Sequence, residues 1–345
     1  MEECHSISQP LPAYIKENIN VIGNEEEMKV DLKIVRANEF LALIARISRI
    51  HSEVVGELPV SVGCHPILES TLASLKEGQG NWRHFVQNSS ILYNMEKFGV
   101  FLTGETPSTY IDFGSGRGQL SYVVSHVVNR ETDALLAIDT FPHRQEHDKR
   151  YKLGEGGHAP IHRVQANIAD LDLGHVPLIR DDTRRIVGIG KHLCGAAADL
   201  ALNCLHRAND PVGLVQGVCM AFCCHHRCTW RDYVGKAFFK KLFLSQRDFT
   251  IMKAMTSWAV CGSGQAQERN DPVQENEVIR GGFPNFYVTL GLDVVRRMNI
   301  GRQCKQIIDR GRAEFLSSWS LEAKLLCYVE PDSTPENVLL LAQRP

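Results

Sequence analysis

From Thr109 onward, short apolar runs alternate with helical stretches along the chain. The runs fall at 109–113, 134–139, 161–166, 185–190 and 213–220, and two more lie near 323–329 and 337–342. Runs this short and this rich in β-branched and aliphatic residues read as strands buried on both faces, with the intervening helices as the covers. Seven strands so spaced predict an α/β fold with a mostly parallel sheet. Ahead of them the period lengthens. Ile34, Phe40, Leu41, Ile44, Ile47 and Ile50 recur at helical spacing, and a second such pattern runs from Trp82 through Phe85, Ile91, Leu92 and Met95 until Gly99 stops it. These predict an N-terminal helical cap over 32–103, either packed on the sheet or built to bind substrate. Residues 1–31 are polar, carry Pro10, Pro12 and the acidic run Glu25-Glu26-Glu27, and read as an extended arm. The main domain then spans 104–345. Within it, 262–285 reads as a long loop, given its glycines, Pro272 and Pro284.

The first strand ends in Asp112-Phe-Gly-Ser-Gly-Arg-Gly-Gln119 and gives way to a helical pattern at Leu120, Val123, Val124, Val127 and Val128. Gly114, Gly116 and Gly118 let the backbone turn sharply and let a ligand approach it without meeting a Cβ. A helix that starts there directs unpaired N–H groups at ligand atoms. The second strand ends at Asp139, about where a doubly wound fold sets a carboxylate against ribose hydroxyls. The dinucleotide fingerprint needs G-x-G-x-x-G, and Gln119-Leu120 follow Gly118 where that pattern wants its last glycine. Asp112, just ahead of the glycines, repels a pyrophosphate and attracts a sulfonium or ammonium. The loop therefore points to S-adenosylmethionine.

Composition narrows the setting. The chain has 345 residues, 43% hydrophobic and 23% charged, enough for a full core. A formal net charge of −2 gives no global pull on nucleic acid, so any such binding must come from local basic patches. Eleven cysteines, several of them bunched, suit a reducing compartment better than a disulfide framework. No apolar run is long enough to span a membrane, and the acidic start lacks the basic character of a secretory signal. The expected location is cytoplasm or nucleus, with no membrane and no protein partner evident.

Two blocks carry candidate chemistry. Lys191 and His192 follow the fourth predicted strand, at the carboxyl end where ligands of open α/β sheets bind. Either can serve as a general base or stabilise developing charge. After the fifth strand comes Cys219-Met-Ala-Phe-Cys-Cys-His-His-Arg-Cys-Thr-Trp230, the densest set of thiols and imidazoles in the chain. Cys223, Cys224, His226 and Cys228 are the candidate zinc ligands, but adjacent side chains point apart and rarely meet at one tetrahedral centre, so zinc is possible and not expected. The competing reading is an active-site wall with His225 or His226 touching substrate. Beyond it, Arg227, Arg231, Lys236, Lys240, Lys241, Arg247 and Lys253 interleave with Trp230, Tyr233, Phe238, Phe239 and Trp258. A second basic set, Arg296, Arg297, Arg302, Lys305, Arg310 and Arg312, lies on a helical stretch. Lysine and arginine supply phosphate contacts, although charged helix faces are usually just solvated.

Four strings together resemble one family: Lys191-His-Leu-Cys-Gly-Ala-Ala-Ala-Asp199, Cys223-Cys-His-His-Arg-Cys-Thr-Trp230, Met255-Thr-Ser-Trp-Ala-Val-Cys-Gly262 and Cys304-Lys-Gln-Ile-Ile-Asp-Arg-Gly-Arg312. They look like the blocks of the eukaryotic tRNA:m4X modification enzymes, 2′-O-methyltransferases acting on the fourth nucleotide of the tRNA acceptor stem. Glu336-Asn-Val-Leu-Leu-Leu-Ala342 resembles the family's closing strand, and the likeness runs from about Pro10 to the end. It implies a Rossmann-like S-adenosylmethionine-dependent methyltransferase. In such a fold the glycine loop holds the methionine moiety, Asp139 takes the ribose and Asp170 lies near the adenine. The chain departs from the family in having aspartate at 112 where glutamate is usual, and Asn167 where an acid is usual. Of the zinc-finger module found ahead of the family's catalytic domain, Cys4-His5 is at most a remnant.

The expected reaction is methyl transfer to a ribose 2′-hydroxyl of the tRNA acceptor stem. Lys191, His192, His225 and His226 are the candidate catalytic residues. Asp112, Gly114, Gly116, Gly118, Asp139 and Asp170 are the candidate cofactor residues. Two other classes are weighed: a catalytically inactive RNA-binding or adaptor protein that keeps the fold, and a nicotinamide-dependent oxidoreductase, which the missing glycine disfavours.

Overall fold

The computed structural model describes residues 31–32, 35–75, 82–104, 106–141, 157–180, 184–209, 214–261 and 286–345. The long loop expected over 262–285 and, but for Asp31, the expected arm lie outside those residues. All seven strands form: β1 (Ser108–Phe113), β2 (Ala134–Asp139), β3 (Ile161–Gln165), β4 (Arg185–Cys194), β5 (Val215–Cys223), β6 (Glu322–Cys327) and β7 (Val338–Gln343). They make one sheet in the order β3-β2-β1-β4-β5-β7-β6. β7 is antiparallel to both of its neighbours, while β1 to β5 pair in parallel. The order reverses between β1 and β4, which is where a doubly wound sheet opens a crevice at its carboxyl edge.

Strand side chains alternate between two cores, as a period of two requires. Ile111, Phe113, Leu136, Ile186, Val218, Met220 and Leu340 face a layer containing the helix α4 (Ala196–Asn209). Tyr110, Leu135, Val187, Ile189, Cys219 and Leu339 face the other way, onto α2 (Trp82–Lys97) and α3 (Gln119–Ser125). A third core lies away from the sheet, among helices and the loops that join them. There α1 (Ala37–Ile50) buries Phe40, Leu43, Ile44, Ile47 and Ile50 against α5 (Gln246–Met255) and the 24-residue α6 (Val294–Ser317). Leu41, grouped with the apolar face in the sequence, is exposed, and Leu43 takes its place. The two N-terminal helices thus join different cores.

Chain ends of the helices follow simple capping chemistry. A capping box at Ser245 and Asp248 starts α5, and the Asp293 carboxylate accepts from Arg296 N–H at 2.7 Å to start α6. α2 stops at Gly99, in the left-handed region at φ 66°, where Val100 N–H returns to the Met95 carbonyl.

Two strands run further than their apolar runs suggest. β4 continues through Lys191, Leu193 and Cys194 by pairing with Ala221, Phe222 and Cys223, and His192 is bulged out at φ 60°. The polar residues expected in a turn after β4 therefore stand on the strand itself.

Candidate active site

The glycine loop sits at the end of β1. Gly114, Gly116 and Gly118 have φ of 64°, 52° and 81°, all in the left-handed region, and α3 begins at the next residue. A Cβ on Gly116 would meet nothing within 4 Å, so this turn of the loop faces open space. Asp139, at the end of β2, closes the loop from the side: its carboxylate accepts from Gly116 N–H at 2.8 Å and from Phe141 N–H at 3.0 Å. Asp170 lies in a single 3₁₀ turn after β3 and is exposed; Ala166 N–H, bonded to the Asp139 carbonyl, sets that turn beside β2. Asn167 caps the turn, its side chain accepting from Ala169 N–H.

Asp112 is buried on the face of β1 that α3 covers. Its carboxylate accepts from the Ser121 hydroxyl at 2.6 Å and from Ser121 N–H at 3.2 Å, binding β1 to the first turn of α3. Burial pushes its pKa up to about 6, against those hydrogen bonds and the nearby Lys191 charge, which favour the carboxylate.

Lys191 and His192 come together with residues that the sequence pattern did not single out. The Lys191 ammonium donates to Asn88 Oδ1 at 2.6 Å, and His192 Nε2 lies 3.2 Å from Gln87 Oε1. Gln87, Asn88, Ser89, Ser90 and Asn94 form a buried polar stripe on α2, in the middle of a helix whose other inward residues are apolar. That stripe is visible in the sequence as four consecutive polar residues interrupting an amphipathic pattern. It marks the helix as more than a cover. Burial pushes the Lys191 amine down to about 8, with the Asp112 charge opposing. Burial also pushes His192 down to about 4, helped by Lys191 and His84, so the imidazole is neutral near pH 7. Asn88 Nδ2 is buried and has no hydrogen-bond partner, an amide donor held ready beside the lysine.

The thiol block divides in two. Cys223 and Cys224 meet Cys194 of β4, with Cys194 Sγ 3.1 Å from Cys223 Sγ and 3.5 Å from Cys224 Sγ. The hydrogen bond from Cys223 holds the Cys194 thiol down at about 6 against its partial burial, while Cys223 and Cys224 are pushed up. Cys228, a candidate ligand beside them in sequence, is elsewhere: it is buried and accepts from Arg312 at 3.1 Å. His226 is exposed and outside the three-thiol group. His225 turns into the interior, its Nε2 2.8 Å from Asp309 Oδ1.

The profile of the family described as Methyltransferase TRM13 matches residues 86–343. The chain belongs to that family. A mouse tRNA:m(4)X modification enzyme TRM13 homolog is 29% identical over 99% of this chain and 82% of its own length. The TRM13 enzyme of Schizosaccharomyces pombe is 32% identical over 96% and 86%, and that of Saccharomyces cerevisiae 28% over 92% and 74%. Among solved structures, the plantazolicin methyltransferase BpumL in complex with SAH is a distant likeness, with a TM-score of 0.37 and 9% identity over 90% of this chain and 98% of that one.

The methyltransferase fold of this TRM13-family chain also places the strings that resembled the family. Asp199, His225, Cys228, Asp309 and Arg312 converge from three of them into one buried network. Arg312 donates to Asp199 at 2.7 and 3.1 Å and to Asp309 at 2.8 Å, with its guanidinium 4.5 Å from the centre of the Phe222 ring. The second basic set is correspondingly thinner than expected: Arg297, Lys305 and Arg312 are buried, and Lys305 pairs with Glu336. Of the interleaved aromatics, Tyr233, Phe238, Phe239 and Trp258 fill the helical core. Arg227, Arg231, Lys240, Lys241 and Arg247 remain exposed, although Arg231 pairs with Asp232 and Arg247 with Glu39. Among the described residues no helix is long and apolar enough to cross a membrane.

Proposed function

We propose that this TRM13-family methyltransferase carries out S-adenosylmethionine-dependent 2′-O-methylation of a ribose in the tRNA acceptor stem, at nucleotide 4. The observation that carries the reading is Lys191, held by Asn88 at the carboxyl end of β4, with its pKa brought down to about 8 by burial against the opposing Asp112 charge near it. The residues present fit the cofactor. The open face at Gly116 leaves room for its methionine end, buried Asp112 supplies negative charge that suits its ammonium and sulfonium, and Asp139 at the end of β2 suits the ribose, with Asp170 after β3 assigned to the adenine. When bound, S-adenosylmethionine supplies an electrophilic methyl group on a cationic sulfur.

The protein's own share is placement and proton removal. A ribose hydroxyl is a poor nucleophile until its proton is drawn off, and an in-line displacement needs its oxygen held against the methyl carbon. Neutral Lys191 accepts that proton at Nζ, and Asn88 fixes the amine's position. His192, uncharged and bulged beside it, offers a ring nitrogen to the substrate. Its strained φ keeps the imidazole at the strand edge. His226 is exposed at the rim and contributes contact. His225, bonded to Asp309, positions the segment after β5 and does not reach the reacting atoms.

Recognition draws on phosphates and duplex shape, because side chains cannot read the deep major groove of an A-form stem. Arg227, Lys240 and Lys241, which follow β5, are exposed cations that can meet phosphates. Binding of tRNA, followed by filter retention, should weaken steeply as salt rises from ~50 to ~200 mM; a flat response would remove the electrostatic account.

The decisive experiment is incubation with labelled S-adenosylmethionine and total tRNA, followed by mapping of the modified nucleotide. Label at the 2′-oxygen of nucleotide 4 is expected. Label elsewhere, or on a base, overturns the specificity. Cofactor binding alone with no transfer to any RNA would favour the inactive adaptor. Gly116→Ala should weaken cofactor affinity in calorimetry by more than tenfold, ~1.4 kcal/mol, since its methyl enters the open face. A left-handed alanine there costs about 1–2 kcal/mol of folding stability as well.

A further inference from the structure

We propose that Cys194, Cys223 and Cys224 form a zinc site, taking one Zn²⁺ through three thiolates at the carboxyl ends of β4 and β5. The three sulfurs lie within 4.8 Å of one another, and two of the separations are 3.1 and 3.5 Å. Thiolates about 2.3 Å from a tetrahedral zinc stand about 3.8 Å apart, so a small outward movement of each sulfur admits the ion. The donor set is all sulfur, which selects zinc over magnesium, calcium or manganese.

The backbone shows how neighbours in sequence, which ordinarily point apart, are brought to one centre. Cys224 is left-handed at φ 51°, ψ 44°, which swings its side chain back toward that of Cys223. On β4 the bulge at His192, φ 60°, resets the register so that Cys194 pairs with Cys223. Positive φ in residues of this kind costs free energy and persists where surroundings impose it. Gly195 brings the two strand ends close. A Cβ there would sit 2.5 Å from Arg227 Cβ and 2.7 Å from its carbonyl oxygen, a contact only glycine allows.

Cys194 is exposed and Cys224 half-buried, so the ion can arrive from solvent, and Cys223 forms the floor. Binding holds all three sulfurs as thiolates and releases to solvent the protons they still carry, and the ion's fourth position is filled by water. The assignment is independent of which nucleotide is methylated. Its consequence is a fixed junction between β4 and β5 immediately after Lys191 and His192.

The test uses the full chain, purified under reducing conditions. Zinc content per chain is measured by mass spectrometry, and the apo-protein is titrated with Co²⁺ while sulfur-to-cobalt charge-transfer absorption is followed. The wild-type protein should show this band. Cys194→Ser and Cys224→Ser should each diminish it and weaken Co²⁺ affinity by more than about tenfold. Cys327→Ser, a half-buried thiol outside the group, should change neither. Comparing variants with wild type isolates this site from the thiols of other segments. An absent band in the wild type, an unchanged band and zinc content in Cys194→Ser, copper in place of zinc, or two thiols lost to a Cys194–Cys223 disulfide under reducing conditions would each overturn the assignment.

Discussion

Lys191→Met should lower kcat for methyl transfer by about 10²–10⁴-fold, the range expected for losing a positioned general base. Cofactor affinity should change little, because in the proposed function the methionine end is assigned to the loop and not to β4. The wild-type rate should climb with pH through about 8, where the buried amine loses its proton. The sign follows from the role: only neutral Lys191 can accept the hydroxyl proton, and roughly a tenth of it is neutral at pH 7 against about nine-tenths at pH 9. His192→Asn should have a milder effect, since asparagine tolerates the left-handed backbone and keeps a polar tip at the bulge. Single-turnover rates with tRNA and saturating cofactor would measure both. A Lys191→Met enzyme with wild-type rate and pH profile would sink the assignment.

The second large effect concerns stability. Arg312→Met should destabilise the fold by ~3–5 kcal/mol in urea denaturation, because Asp199 and Asp309 would be left buried with their shared cation gone. All three side chains are at most 1% exposed, so solvent cannot take over the lost interactions. Arg310→Met on the same helix removes a half-exposed pair with Glu314 and should cost less than about 1 kcal/mol. Similar losses in the two variants would show that the network contributes no more than a surface ion pair.

These effects also explain what could be read from sequence and what could not. The strands are legible because most of their apolar runs, those of β1, β2, β4, β5 and β7, are buried on both faces, and the glycine loop because no residue with a Cβ passes easily through three left-handed positions set so close together. The partners of Lys191 and His192 are not, since Asn88 and Gln87 precede them by about a hundred residues and meet them only through the packing of α2 on the sheet. Cys194 is not legible as a partner of Cys223 for a related reason: strand register joins them. The unusual strings drew attention as chemistry, yet Asp199, Cys228, Asp309 and Arg312 serve the interior. A buried ion network and a reaction centre demand the same residue types, and sequence alone does not say which of them turn into the interior.

The polar stripe on α2 bears on where this enzyme can be cut. Cleavage at residue 104, the natural-looking start of the α/β pattern, would separate Asn88 and Gln87 from Lys191 and His192 and bare the apolar face that Phe85, Leu92 and Met95 now cover. A shortened protein meant to retain turnover must begin ahead of Trp82. On the role proposed for Lys191, the helix that looks like an accessory belongs to the smallest working unit.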